Sequence, residues 1–182
     1  MGLSAYLFAA ISCGIAWARV HENPRTGRLA AILLVLEAGL FLDMLFNGRW
    51  LLHDLLQGEA MAEKLYTLRT GPQIAMLGLL GAAAVGGVAL AFRSLRGRTG
   101  AAVAICGMIF SLSCWCAEVI SLHAIDAVLY RSVGGVMFVS LIWVLCSLTT
   151  SLGILWDTRV SRVNTSSIAD RTKTQPLSQR FF

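Results

Sequence analysis

The sequence predicts an all-α membrane protein: a bundle of five transmembrane helices with an amphipathic helix on the outer face. Three observations carry this. Of 182 residues 57% are hydrophobic and 14% charged, with a mean hydropathy of +0.71, which is more apolar surface than a soluble domain of this length can hide. Five apolar runs, at about 2–18, 29–46, 72–92, 101–122 and 133–156, each approach the ~20 residues needed to cross the hydrocarbon core. The basic residues alternate between the segments that join those runs.

That alternation sets the expected threading. Arg19, Arg25 and Arg28 follow the first run, Arg93, Arg96 and Arg98 the third, and Arg159, Arg162, Arg171, Lys173 and Arg180 the fifth. Only Arg49, Lys64, Arg69 and Arg131 fall on the other side. Basic loops stay cytoplasmic, so the N-terminus is expected outside and the C-terminus inside, in a bacterial cytoplasmic membrane. A rival reading takes AWA at 16–18 as a signal-peptide cleavage site, but no basic residue precedes the apolar stretch as such a peptide requires. The MGLSAY start has Tyr6 where a myristoylation signal wants Ser or Thr.

The runs differ in character. The third carries Gly78, Gly81, Gly86 and Gly87, and small residues let helices approach closely in lipid, so tight packing against neighbours is expected there. The fourth repeats the theme with Ala104, Gly107, Ser111 and Cys114. Such seams serve bundle packing or a homo-oligomer or larger membrane complex equally. Between runs two and three, residues 47–71 form a long amphipathic loop. The second helix is expected to run on to about Gln57, break at Gly58 and resume as an interfacial helix, with Trp50 and Tyr66 at headgroup level. Thr70 caps the third span, with Pro72 in its first turn. Residues 157–182, rich in Ser, Thr, Arg and Gln, read as a disordered basic cytoplasmic tail.

Several function classes drop out. The net charge of +5 sits in loops and tail and needs no nucleic acid; the partner it implies is the lipid bilayer. Cys13, Cys106, Cys114, Cys116 and Cys146 all lie within apolar runs without a C-x-x-C pair, which argues for packing roles and against a disulfide framework or quinone-linked thiol oxidation. No G-x-S-x-G or phosphate-binding glycine loop occurs.

What remains is acids without cations. Glu37 and Asp43 lie in the second run and Glu118 in the fourth, while no Lys or Arg lies inside any run. A carboxylate in hydrocarbon costs at least about 2.5–3.5 kcal/mol unless a proton, a cation or a buried base neutralises it. Helical rise puts Glu37 roughly 12 Å in from the cytoplasmic side, and Asp43 and Glu118 in the outer half at similar depth. These three are candidate proton or charge partners. Arg49 or Arg131 could reach from the interface to pair with Asp43 or Glu118, and Glu37 could be protonated and bonded to Ser111.

His53 and His123 emerge near the outer surface on the same two helices. His123-x-x-Asp126 is a chelating spacing, and His53 could add a second nitrogen, so His53, His123 and Asp126 are candidate metal ligands; the two histidines could also be axial ligands of a haem. On the fourth helix His123, Asp126 and Tyr130 share a face, about 140° round from Glu118. One site holding both would need the helix to bend after Glu118. The leading expectation is a metal- or haem-binding redox or proton-coupled subunit. The alternatives are a non-catalytic structural or assembly protein, in which these residues only lock helices, and a small cation or proton transporter.

Overall fold

The computed structural model describes residues 1–20, 23–62, 70–121 and 123–174, with the side chains at 60, 123, 124 and 164–174 outside the described set. The chain is an all-helical integral membrane protein with five helices long and apolar enough to cross a bilayer. In order they are α1 (Gly2–Arg19), α2 (Pro24–Phe46), a shorter α3 (Gly48–Ala62), α4 (Thr70–Ser94), α5 (Thr99–Ile120), a seven-residue α6 (His123–Leu129) and α7 (Phe138–Thr174). Strands β1 (Ser132–Val133) and β2 (Val136–Met137) form a small hairpin before α7.

Local chemistry accounts for the helix ends. Asn23 caps α2 by accepting from the backbone N–H of Arg25 and Thr26, with Pro24 in the first turn. Asn47 ends α2 in the left-handed conformation, φ 54° and ψ 36°, a state Asn tolerates better than most residues. The second helix therefore stops at Phe46 instead of running on to Gln57, and α3 passes through Gly58 without a break. Lys64, Tyr66 and Arg69, expected in the interfacial segment, lie outside the described residues. Ser121 ends α5 in the left-handed region as well, φ 45°, so His123 and Asp126 belong to a separate helix. Gly134 and Gly135, both at positive φ, make the two-residue turn of the hairpin. Helical backbone continues through Asp157 to Thr174, where the sequence suggested a disordered tail from 157.

The core lies among α1, α2, α5 and α7. Tyr6 and Cys13 of α1, Leu33 and Leu40 of α2, Ala104 and Met108 of α5 and Ile154 of α7 form its buried cluster. The tightest seam is α5 against α7. A Cβ on Gly100 would lie 2.5 Å from the Asp157 nitrogen, and one on Gly107 would lie 2.6 Å from the Thr150 nitrogen; a Cβ on Gly153 would meet the Ala104 nitrogen. Glycine is needed there because backbone meets backbone. The glycine-rich α4 behaves differently: nothing lies within 4 Å of a Cβ at Gly78, Gly81 or Gly86, and only Gly87 approaches a neighbour, the Ile109 side chain. Among the described residues the tight packing expected of this span is absent: α4 packs mainly on α5 and exposes Leu79, Val85 and Leu90.

Candidate functional site

Three polar features interrupt the apolar interior, one at each end of the bundle and one between them. The first lies at the end that carries α3, α6 and the hairpin. Because Asn47 turns the chain sharply, Arg49 is brought back over the last turn of α2, and its Nε donates to Asp43 Oδ2 at 3.1 Å. Its Nη1 donates to Glu118 Oε2 at 2.7 Å. Arg49 is 6% exposed and the Glu118 side chain 2%, so this is a buried triad joining α2, α3 and α5. Burial works against the charge on Arg49, but the Glu118 and Asp43 carboxylates more than offset it, and its pKa rises above the ordinary guanidinium range.

Glu118 has further donors. Trp143 Nε1 of α7 donates to Oε1 at 3.0 Å and the Cys114 thiol approaches the same oxygen at 3.7 Å. The Tyr130 hydroxyl donates to Oε2 at 3.4 Å. The left-handed Ser121 supplies the bend after Glu118 that a site containing both Glu118 and Tyr130 needs. Burial, and after it the Glu118 charge, push the Tyr130 phenol up to about 12, so it remains a donor at neutral pH.

A cavity of about 380 Å³ opens beside this triad, lined by Met44, Asn47, Arg49, Trp50, Glu118, Tyr130, Met137 and Trp143. Its aromatic rings are close together. Trp50 and Tyr130 have ring centroids 6.2 Å apart and tilted by 30°, and the Arg49 guanidinium lies 4.9 Å from the centre of Trp143. The local charges are uneven: two carboxylates, Asp43 and Glu118, share one arginine.

His53 and Asp126 each make a local bond. His53 donates from Nδ1 to the Val119 carbonyl at 3.1 Å and sits edge-on to Trp50, fastening α3 to the end of α5. Asp126 accepts from the Ser121 hydroxyl at 2.6 Å. The side chain of His123 lies outside the described set. Among the described residues no group of three or more His, Cys, Asp or Glu side chains gathers in a way that could hold a metal. Arg131 is exposed and forms no ion pair among the described residues, so Arg49 alone carries the pairing that either arginine could have made.

The second feature lies at the opposite end, and the sequence reading missed it. Arg98, in the α4–α5 turn, donates from Nη2 to Asp157 Oδ2 at 2.5 Å and to the Thr26 hydroxyl at 2.8 Å. Thr26 in turn donates to Asp157 at 3.0 Å. Asp157 is only 4% exposed. Its signal was a lone acid at the end of the last apolar run, beside an arginine-rich loop, which the span boundary at 156 set aside.

The third feature is Glu37. It belongs to the buried stripe of α2 formed by Thr26, Ala30, Leu33, Glu37 and Leu40, and it is fully buried. Thr150 of α7 faces it, but that hydroxyl donates to the Cys146 carbonyl at 3.1 Å. Neither Glu37 oxygen has a hydrogen-bond partner, and neither does the hydroxyl of Ser111, so the expected Glu37–Ser111 bond does not form.

Comparison of the chain with known protein families, curated proteins and solved structures finds no match. The geometry alone therefore carries the functional reading.

Proposed function

We propose that the protein is a small membrane carrier for an organic cation, with the cavity beside Arg49 and Glu118 as its outward-facing binding site. The observation that supports this most is the combination of aromatic walls with uneven charge. Glu118 and Arg49 line the cavity and Asp43 sits behind Arg49, so the charged cluster beside the cavity carries an excess of one negative charge when both acids are ionised. That potential repels anions and favours a cation. Trp50, Tyr130 and Trp143 line the cavity, and a desolvated cation over an aromatic face gains about 2 kcal/mol. Arg49 already uses Trp143 in this way. A volume of about 380 Å³ falls at the lower end of ligand-site sizes, which are roughly 300–1,000 Å³, and suits a compact amine or quaternary ammonium. The excess of arginine at the Arg98 end supports an orientation with that end in the cytoplasm and the cavity outside.

Metal and haem readings draw no support from the described residues, among which no three His, Cys, Asp or Glu side chains gather. The test is binding of choline against its neutral isostere 3,3-dimethylbutan-1-ol, followed by tryptophan fluorescence in nanodiscs. Choline is expected to bind and quench, the isostere to bind at least tenfold more weakly, and Trp50→Ala to weaken choline. Equal binding of the two compounds, or none, overturns the reading. Uptake of labelled choline into proteoliposomes then separates carrier from receptor.

A further inference from the structure

Arg49, Asp43 and Glu118 at one end and Arg98 and Asp157 at the other are paired; Glu37 has no hydrogen-bond partner among the described residues, and the carrier reading makes no use of it. We propose that Glu37 is a proton-binding site at the centre of the membrane, a carboxyl held as the neutral acid that gives up and regains its proton as the protein works. Its depth suits this role. Glu37 lies nine residues from Phe46 and thirteen from Pro24, roughly 14 and 20 Å along the helix axis, and so near the middle of a hydrocarbon core about 30 Å thick.

Its surroundings on each packed element are short of charge. From α1 the facing titratable groups are Tyr6 and Cys13. From α7 they are Cys146 and the Thr150 hydroxyl. On α5 the Ser111 hydroxyl bears on Cys146. No cation among the described residues faces Glu37, because Arg49 and Arg98 are each bound to acids at their own ends. An ionised carboxyl in this position would be a buried charge with neither partner nor hydrogen bond, an arrangement that folded proteins avoid by neutralising the group.

Other buried polar groups of the bundle lack partners too. Besides both Glu37 oxygens, the Ser111 and Ser147 hydroxyls and the Trp115 indole N–H are buried without a partner. Buried polar groups without protein partners are commonly satisfied by water, and water is the carrier a proton at Glu37 needs. A resident metal cation fits less well. Hard cations such as Ca²⁺ and Mg²⁺ take about six or more oxygens, and here there is one carboxyl with the Thr150 hydroxyl facing it. The proton exchanged leaves the Glu37 O–H for water, and a proton from water restores it, so no other reactant is needed. This inference does not depend on the carrier reading: Glu37 can bind a proton whether or not the cavity takes an organic cation.

The test uses the full-length protein in nanodiscs. Infrared spectra should show the carbonyl band of a protonated carboxylic acid near neutral pH. That band should fade as pH rises, tenfold less acid per pH unit beyond its midpoint, and be missing from Glu37→Gln while persisting in Asp43→Asn. Labelling with N,N′-dicyclohexylcarbodiimide, which attacks protonated carboxyls in apolar surroundings, should place one adduct on Glu37 and follow the same pH dependence. Glu37→Gln is nearly isosteric, and its helical circular dichroism checks that it folds. No acid band in the wild type at any pH, a band unchanged in Glu37→Gln, or a band removed by sodium at fixed pH would each overturn the proposal, the last by showing a metal-cation site.

Discussion

Glu37 and Glu118 are both buried glutamates in the same bundle, one near mid-helix and one near a helix end, and the fold treats them in opposite ways. Glu118 accepts from Arg49, Trp143 and Tyr130 with the Cys114 thiol close by. Glu37 accepts from no described group. The difference shows what a buried carboxyl in a membrane protein can be for. One fully supplied with donors cross-links helices, and moving its proton would mean dismantling a network. One left without donors contributes little to holding the fold and is free to change its protonation state. The Arg98–Asp157–Thr26 cluster belongs with Glu118, so the bundle is fastened by ion pairs at both ends and left loose in polar terms at its centre.

Breaking the fastened side should give the largest effect. Arg49→Met strands two carboxylates in a buried site and is expected to destabilise the protein by about 3–5 kcal/mol, the usual size for removing one partner of a buried pair. Denaturant unfolding in mixed micelles reads this, and adding Asp43→Asn and Glu118→Gln to the same chain should recover most of the loss. A smaller cost, about 1–3 kcal/mol, is expected of Asp157→Asn, because the Arg98 side chain is 28% exposed and can turn to water when its partner goes. A loss as large as that of Arg49→Met would mean the two ends are equally dry. Smaller still is Tyr130→Phe, which removes one long hydrogen bond and should cost about 0.5–1.5 kcal/mol; the same variant should weaken choline binding if the ring's hydroxyl helps shape the cavity.

Much of this contrast lay in the sequence, but not the part that distinguishes the two glutamates. Five spans followed from apolar run lengths, and Glu37, Asp43 and Glu118 stood out as acids in runs without cations. The turns that assemble the site were harder to see. Asn47-Gly48 is a turn signal, yet the break was assigned to Gly58, because the apolar residues after Trp50 continued a helical pattern. Ser121 gives no local warning of its left-handed conformation, and without that bend Tyr130 and Glu118 read as lying on different faces. Asp157 lies one residue beyond the expected end of the last span, and Arg98 stands among the basic residues of a loop, with nothing local to mark it as paired. Pairing is a property of three-dimensional approach, so the sequence could show that Glu37 and Glu118 both needed a partner, but not which one has it. The glycines teach the same lesson: α4 has more of them, but those of α5 and α7 make the close contact.

The most direct test of the account measures the unfolding free energy of Glu118→Gln and Glu37→Gln side by side, in the same nanodiscs at the same neutral pH. The account predicts a loss of about 1–3 kcal/mol for Glu118→Gln, which weakens the bonds to Glu118 while Asp43 still neutralises Arg49, and a change within about 0.5 kcal/mol for Glu37→Gln, which replaces a neutral acid by a neutral amide of similar shape. Equal losses in the two variants, or a larger loss at Glu37, would contradict it.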